Sequence, residues 1–232
     1  MQEAGPLYRS GANAFYNGLS ADGYAEICFP DLGGQGIPIY YRKDLLEAVD
    51  SGYSKSRTGD KGTTWAVFRV KTGENAGKKF GLTNSHFAAN SNAGGDAGLG
   101  DKYRTEDAKC CAKAAGAIAA KYPGIAVVMG GDYNCAKDYA PYAAILASSA
   151  VHVRDTLSCW DIQSPFHSSF GYERSTGRYE LQSALRWSGS ESIDHIFILG
   201  ESVSPVSYTV VRTRLALTCS DHAPHFTDIK FN

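Results

Sequence analysis

Apolar runs along this chain alternate with short polar segments, and the runs have the length and composition of β-strands. β-Branched and aromatic residues dominate residues 37–41 and 64–70. A turn containing Gly and Asn at 71–79 predicts a hairpin that returns at 80–83. The run at 125–129 is nearly all apolar, which predicts a strand buried on both faces. Three further strands are predicted near the C-terminus, at 192–199, 206–212 and 225–231.

Two helices are predicted between these strands. Thr105 supplies a hydroxyl cap for a helix that continues through Ala-rich sequence to Lys121, where a Pro-Gly pair soon follows. A second helix covers about 139–149. Residues 90–100, rich in Gly, Asn, Ala and Asp, predict a flexible loop that shapes access to a site. Mixed helices and hairpins favour a mainly antiparallel two-sheet core flanked by helices.

Composition sets limits on the class of protein. A chain of 232 residues without repeats or a Pro-rich linker is expected to form a single domain over residues 1–232. The net charge of −1 gives no global basic field of the kind that drives nonspecific nucleic-acid binding. No apolar run approaches the roughly 20 residues that span a bilayer, so we expect a soluble chain with no transmembrane segment. Whether it is secreted, and its oligomeric state, stay open.

The 6 cysteines are scattered along the chain. A chain of this length does not need a disulfide framework, so we expect buried thiols, with one or two bridges as the alternative. The adjacent pair Cys110-Cys111 does not have the spacing of a zinc site.

Four short polar segments accompany the predicted strands, and together they suggest one site. They are Asn84-Ser85-His86, Gly130-Gly131-Asp132-Tyr133-Asn134, Asp194-His195 and Ser220-Asp221-His222. Their carboxylate and amide oxygens suit Mg²⁺, Mn²⁺ or Ca²⁺ rather than zinc. An imidazole held by a carboxylate suits activation of water. The combination fits hydrolysis of a phosphate ester.

The order of these motifs resembles the endonuclease/exonuclease/phosphatase superfamily, which includes DNase I-like nucleases, sphingomyelinases and inositol polyphosphate phosphatases. The segments that carry the resemblance are Gln2-Glu3, Ile39-Tyr40-Tyr41-Arg42, Trp65-Ala66-Val67-Phe68, Asn84-Ser85-His86-Phe87, Gly131-Asp132-Tyr133-Asn134, Ile193-Asp194-His195-Ile196-Phe197 and Ser220-Asp221-His222. The resemblance covers nearly the whole chain. It implies an α/β four-layer sandwich of two mainly antiparallel sheets flanked by helices, and a phosphoesterase that depends on Mg²⁺ or Mn²⁺.

The resemblance also implies a role for each matching residue. Glu3 is expected to bind the cation, with Asp221 close to the same metal. His222 is expected to act as the general base, oriented by Asp194. Asp132 is expected to position the attacking water.

Two further residues are expected to act on the phosphate. Asn134 would donate to a phosphate oxygen, and His86 would stabilise charge on the phosphoryl group. His195 stands where the family usually has an aromatic residue, so we interpret it as a packing or supporting residue. Arg42 and Lys61 have two interpretations, as contacts to phosphate oxygens or as solvated charges.

The start of the chain departs from the family pattern. The family begins with a strand ending in Asn, a helix and a second strand that leads into Gln-Glu, whereas this sequence begins at Met1-Gln2-Glu3. We therefore expect the domain to be N-terminally truncated here. The alternative is that other residues complete the sheet and the metal site.

The substrate is open at this level. Nucleic acid, a phospholipid head group or a sugar phosphate would all use the same machinery. A different class of function, a noncatalytic binding or scaffold domain that has lost metal binding, is the alternative to an enzyme.

Overall fold

The fold is seen in a computed structural model that describes residues 14–29, 36–56, 61–137, 139–147, 153–158, 161–162, 172–173, 180–181, 192–211, 213, 215–216 and 222–232. The helices are α1 (Ala14–Ala21), α2 (Ala97–Lys121) and α3 (Ala140–Ala147), with 3₁₀ turns at Asn90–Ala93 and Thr156–Ser158. The strands are β1 (Tyr24–Ile27), β2 (Ile39–Arg42), β3 (Leu46–Lys55), β4 (Gly62–Val70), β5 (Lys79–His86), β6 (Val127–Asp132), β7 (Val153–Asp155), β8 (Asp161–Ile162), β9 (Tyr172–Glu173), β10 (Glu180–Leu181), β11 (Asp194–Leu199), β12 (Val203–Val210) and β13 (His225–Phe231).

A six-stranded sheet forms the centre, in the order β3-β4-β5-β6-β11-β7. The strands β5 and β6 run parallel, and the other neighbours run antiparallel. The predicted hairpin is present as β4 and β5, with Arg69 opposite Lys79 next to the turn. Parallel strands need a crossover, and α2 supplies it between β5 and β6.

Both faces of this central sheet are covered because successive side chains of a strand point to opposite faces. On one face, Val67 packs in a core with α2 and α3. On the other face, its neighbours Ala66 and Phe68 pack in a core with β2. The predicted burial of the strand after α2 on both faces is confirmed in β6, where Val127 and Met129 on one face and Val128 on the other are buried.

A second strand layer covers the face opposite α2. It consists of the antiparallel pair β1-β2 and the sheet β13-β12-β8. The ring of Phe80 lies 5.6 Å from Phe68 and 6.2 Å from Phe231 of β13, which links the two layers. The predicted fold class, a mixed α/β sandwich of two sheets flanked by helices, is confirmed.

The helix α2 begins earlier than the sequence predicts. Its N-cap is Asp96, whose side chain accepts from the Leu99 backbone N–H at 2.9 Å, and Thr105 lies inside the helix with its hydroxyl donating to the Asp101 carbonyl. The prediction of a flexible loop over 90–100 is therefore wrong, since a 3₁₀ turn and the first helical turn occupy it. Glycine has a low helix propensity, so Gly100 made a helix unexpected here. The structure shows why glycine occupies this helical position, since a Cβ there would lie 2.6 Å from Asn90 Oδ1.

Four cysteines lie in the described part of the chain, and all four are free thiols. They are Cys28, Cys110, Cys111 and Cys135, of which Cys111 and Cys135 are buried. The remaining two, Cys159 and Cys219, lie outside the described residues. Among the described helices, none is long and apolar enough to cross a membrane.

Candidate active site

Three neighbouring strands of the central sheet bring the predicted polar segments together at one end of the strands. His86 is the last residue of β5, Asp132 is the last of β6, and Asp194 is the first of β11. The register places His86 beside Asp132 across the parallel pair, and Asp194 beside Asp132 across the antiparallel pair. The topology therefore puts three titratable side chains in a row.

A carboxylate–imidazole pair forms at this end of the strands. Nδ1 of His222 lies 2.7 Å from Oδ2 of Asp194, and the His222 side chain is 27% exposed while Asp194 is buried. An ionised carboxylate has no hydrogen to give, so Nδ1–H donates, and in the neutral ring Nε2 then keeps its lone pair. That second nitrogen can accept a proton from water.

Asp132 completes a cluster with this pair. Ligand atoms of Asp132, Asp194 and His222 all lie within 4.8 Å of one another. Burial raises the pKa of Asp132 to about 7, and the nearby charge of Asp194 acts in the same direction. Its Oδ1 also accepts from the backbone N–H of Asn134 at 2.8 Å, which fixes the carboxylate.

Asn134 turns the chain immediately after β6. Its φ is +48°, in the left-handed region that Asn tolerates better than most residues. Its side-chain Nδ2 donates to the Phe87 carbonyl at 3.0 Å, so one of the two amide hydrogens is used inside the protein. This bond ties the chain that follows β6 to the chain that follows β5.

Gly131 allows β5 and β6 to approach at this point. A Cβ on Gly131 would lie 2.1 Å from the Ser85 carbonyl oxygen and 2.8 Å from the Ser85 nitrogen. Backbone atoms cannot move aside as a flexible side chain can. The glycine before Asp132 is therefore required by the distance between the two strands.

His86 faces a buried lysine. His86 is 2% exposed and Lys61 is 3% exposed, and Nζ of Lys61 lies 2.9 Å from Nε2 and 3.3 Å from Nδ1 of the ring. Nε2 of His86 also lies 3.5 Å from Oδ2 of Asp132. Burial, and after it the ammonium of Lys61, lower the pKa of His86 to about 3, so the ring is neutral at pH 7.

The sequence motifs do not place Lys61 in the site and leave it with two interpretations, a phosphate contact or a solvated charge. One signal was available, because counting back along the predicted hairpin from its turn places Gly62 opposite His86, and Lys61 is the next residue. Arg42, which had the same two interpretations, is exposed and forms an ion pair with Asp44 at 2.6 Å. The structure therefore separates two residues that the sequence treated alike.

His195 packs in the core and does not enter the cluster. Its Nε2 donates to the Cys135 carbonyl at 2.8 Å, and its ring lies 5.4 Å from Phe197 and 5.9 Å from Tyr133. This placement agrees with its interpretation as a packing residue.

The structure brings together five of the residues that the sequence proposed for a site, namely His86, Asp132, Asn134, Asp194 and His222. The two predicted metal ligands, Glu3 and Asp221, lie outside the described residues. The predicted strands upstream of Met1 stay a prediction. In chemical terms the five residues offer two buried carboxylates, an imidazole able to accept a proton and groups able to contact an oxyanion.

Solved structures match the chain over almost its whole length. A mannosyl-6-phosphatase of Bacteroides thetaiotaomicron, Bt3783, gives a TM-score of 0.70 at 21% identity, covering 94% of this chain and 82% of the other. D. rerio TDP2 complexed with a single-strand DNA product gives 0.66 at 17% identity, covering 99% and 84%. An endonuclease/exonuclease/phosphatase family protein of B. thetaiotaomicron gives 0.68 at 21% identity, covering 90% and 74%.

The chain has the fold of the endonuclease/exonuclease/phosphatase proteins. The resemblance carried by the sequence motifs is thus confirmed at the level of the fold. No protein-family model and no curated protein matches the sequence.

Proposed function

We propose that this chain is a divalent-metal-dependent phosphoesterase that hydrolyses a phosphodiester or a phosphomonoester. The observation that carries the proposal is the His222–Asp194 pair, whose ligand atoms lie within 4.8 Å of those of the buried Asp132. An imidazole able to take a proton beside carboxylates able to hold a cation is the combination that hydrolysis of a phosphate ester needs.

The donor set fits a hard cation. Asp132 and Asp194 are buried carboxylates that face each other, and the pKa of Asp132 is raised because burial and its neighbour disfavour ionisation. A bound cation would relieve that repulsion, and carboxylate oxygens favour Mg²⁺ or Mn²⁺. Asp132 and Asp194 would hold it, with Glu3 and Asp221 adding oxygens as the sequence resemblance implies. When bound, the cation would neutralise charge on the phosphate and the leaving oxygen.

The side chains then divide the chemistry. Nε2 of His222 takes a proton from water as the water oxygen bonds to phosphorus, and Asp194 holds the ring in the required orientation. Asp132 orients the water. The second amide hydrogen of Asn134 donates to a phosphate oxygen, which the first hydrogen cannot do because it is bonded to the Phe87 carbonyl. The bond from phosphorus to the leaving oxygen breaks, that oxygen takes up a proton from solvent, and Nε2 of His222 releases to solvent the proton that it accepted.

The leaving group is the open part of the proposal. The structural neighbours include a mannosyl-6-phosphatase and a protein complexed with a DNA product. The net charge of −1 leans away from a nonspecific nuclease. A sugar phosphate, a nucleic acid and a phospholipid head group are therefore the substrate classes to compare.

A hydrolysis panel tests the proposal. The protein is incubated with plasmid DNA, RNA, sphingomyelin, inositol phosphates, mannose 6-phosphate and chromogenic phosphate esters, with Mg²⁺, Mn²⁺, Zn²⁺ or EDTA. We expect turnover of at least one ester with Mg²⁺ or Mn²⁺, loss in EDTA, and restoration on adding the metal back. Activity that survives EDTA, or that only Zn²⁺ restores, contradicts the metal assignment.

A calorimetric titration with Mg²⁺ and Mn²⁺ distinguishes the proposed enzyme from a noncatalytic domain. If the chain is a noncatalytic binding or scaffold domain that has lost metal binding, the titration shows no binding heat and the panel shows no turnover. Binding that Asp132→Asn weakens supports the enzyme proposal even before a substrate is found.

A further inference from the structure

We propose that Lys61 is a positioning residue of this site, whose buried ammonium holds His86 by a ring nitrogen and supplies a fixed positive charge to the phosphoryl group. The inference rests on the proposed phosphoesterase function. It assigns the cationic role at this end of the site to the lysine rather than to the histidine.

The backbone fixes this contact. Lys61 directly precedes β4, and the first residue of that strand, Gly62, is the register partner of His86. The lysine therefore lies next to the last residue of β5 by strand pairing. Only 3% of its surface reaches solvent, so it is not a surface lysine that has folded over the site.

The hydrogen bond determines which group carries the charge. An ammonium has only hydrogens to offer, so the ring nitrogen that meets Lys61 Nζ must present its lone pair. At 2.9 Å from Nε2, Lys61 prevents that nitrogen from carrying a hydrogen of its own while the bond exists. His86 therefore acts as a neutral ring, and the positive charge beside it belongs to the lysine.

The charge faces the rest of the cluster. Lys61 is close enough to act electrostatically on the carboxylates of Asp107 and Asp132, and the His86 Nε2 that it contacts lies 3.5 Å from Oδ2 of Asp132. A cation kept from water is weakly screened and cannot rotate away. Such a fixed charge stabilises an anion without reorganisation as the reaction proceeds.

This placement predicts selectivity by charge. A phosphate monoester carries up to two negative charges at pH 8, and a diester carries one. An interaction with a fixed cation scales with the charge of the bound group. Removing Lys61 should therefore impair a monoester more than a diester, which a general loosening of the fold would not do.

The experiment uses p-nitrophenyl phosphate and bis(p-nitrophenyl) phosphate with Mg²⁺ or Mn²⁺ at pH 8. The variants are Lys61→Met, Lys61→Gln, which keeps a donor without the charge, and Lys61→Arg, which keeps the charge. The matched control is Lys71→Met, because Lys71 follows the opposite end of β4 and its Nζ donates to the Lys43 carbonyl at the surface. Thermal unfolding checks each variant, and Lys61→Gln replaces Lys61→Met if the apolar variant does not fold.

We expect both neutral variants to lose kcat by about 10²-fold on the monoester, the scale of removing one preorganised electrostatic group. The loss of kcat on the diester should be smaller. Lys61→Arg should retain part of the monoester activity that the neutral variants lose, and Lys71→Met should match the wild type. Unchanged kcat, or equal losses on both esters without recovery by Lys61→Arg, overturns the proposal.

Binding of inorganic phosphate in EDTA separates this proposal from the proposed function. Calorimetry should show weaker phosphate binding by Lys61→Gln than by the wild type, whether or not either protein turns over an ester. If the wild type hydrolyses nothing in the panel, the function proposal fails, and the phosphate titration still decides the role of Lys61. Equal binding by the two proteins, including none by either, overturns that role.

Discussion

His222 donates through Nδ1 to Oδ2 of Asp194 across 2.7 Å, joining the C-terminal segment to the first residue of β11. The two residues are 28 positions apart in sequence, and the sheet register places Asp194 beside Asp132. The imidazole is thus oriented by a residue that is itself fixed in the central sheet. This arrangement leaves Nε2 as the nitrogen available for proton transfer.

Loss of this imidazole should reduce catalysis without unfolding the protein. We expect His222→Ala to lower kcat by about 10² to 10⁴, since general bases contribute on that scale. Asp194→Asn should change kcat in the same direction because it weakens the orientation of the ring. Steady-state kinetics and thermal unfolding measure the two effects, with Glu47→Gln on exposed β3 as the control. A His222→Ala variant at nearly the wild-type rate would remove His222 from the mechanism.

The strand ends of the site could be predicted from sequence because apolar runs and polar segments alternate sharply there. The runs that became β5, β6 and β11 each adjoin a polar segment, and the hairpin that includes β5 has a clear turn. Strand β3 was missed because it is an edge strand with Asp50, Ser51 and Gly52 at its centre and a register shift at Ala48/Asp50. Its pairing with β4 outweighs its poor β-propensity.

The burial of Lys61 is not visible in its local sequence, and only the register of the predicted hairpin points to it. Lysine is mostly exposed in proteins, and nothing in the composition around Lys61 distinguishes a buried ammonium from a solvated one. Its place follows from the register of two strands and from the ring that it meets at 2.9 Å. Long-range pairing supplies that information, and local sequence does not.

The raised pKa of Asp132 predicts how the stability of the metal-free protein depends on pH. A carboxyl whose pKa rises from 3.8 to about 7 on folding favours the folded state while it is protonated. Its contribution is fully present below pH 3.8 and is lost as pH rises through about 7. In EDTA, we therefore expect the melting temperature of the wild type to fall over this range relative to Asp132→Asn.

The asparagine variant is a close control because its side-chain oxygen can still accept from the Asn134 N–H. At pH 8 without metal, Asp132→Asn should be the more stable protein, and Mg²⁺ should raise the melting temperature of the wild type more than that of the variant. Parallel pH profiles for the two proteins would show that Asp132 is ionised in the folded state at ordinary pH.

Gly130 and Gly131, which precede Asp132, should differ in how well they tolerate replacement by alanine. A Cβ on Gly131 would lie 2.1 Å from the Ser85 carbonyl oxygen, whereas a Cβ on Gly130 would meet its nearest atom, the Thr83 carbonyl oxygen, at 3.9 Å. We expect Gly131→Ala to cost about 1–3 kcal/mol of unfolding free energy, as overpacking does, and Gly130→Ala to cost much less. Urea unfolding measures both. Similar values for the two variants would contradict the close approach of β5 and β6.

The start of α2 can be tested, because the sequence predicts an N-cap at Thr105 and the structure has it at Asp96. The side chain of Asp96 accepts from the Leu99 N–H at 2.9 Å, so it satisfies a backbone donor that has no partner within the helix. Thr105 lies inside the helix, where its hydroxyl donates to the Asp101 carbonyl. Loss of an N-cap costs about 1 kcal/mol, whereas replacing an interior Thr by Ala raises helix propensity.

We therefore expect Asp96→Ala to destabilise the protein by about 1 kcal/mol and Asp96→Asn, which keeps the accepting oxygen, to stay close to the wild type. Thr105→Ala should be neutral or slightly stabilising. Urea unfolding of the three variants under one set of conditions gives the comparison. If Thr105→Ala is instead the costly change and Asp96→Ala is silent, the helix begins at Thr105, and residues 90–100 form the loop that their composition suggests.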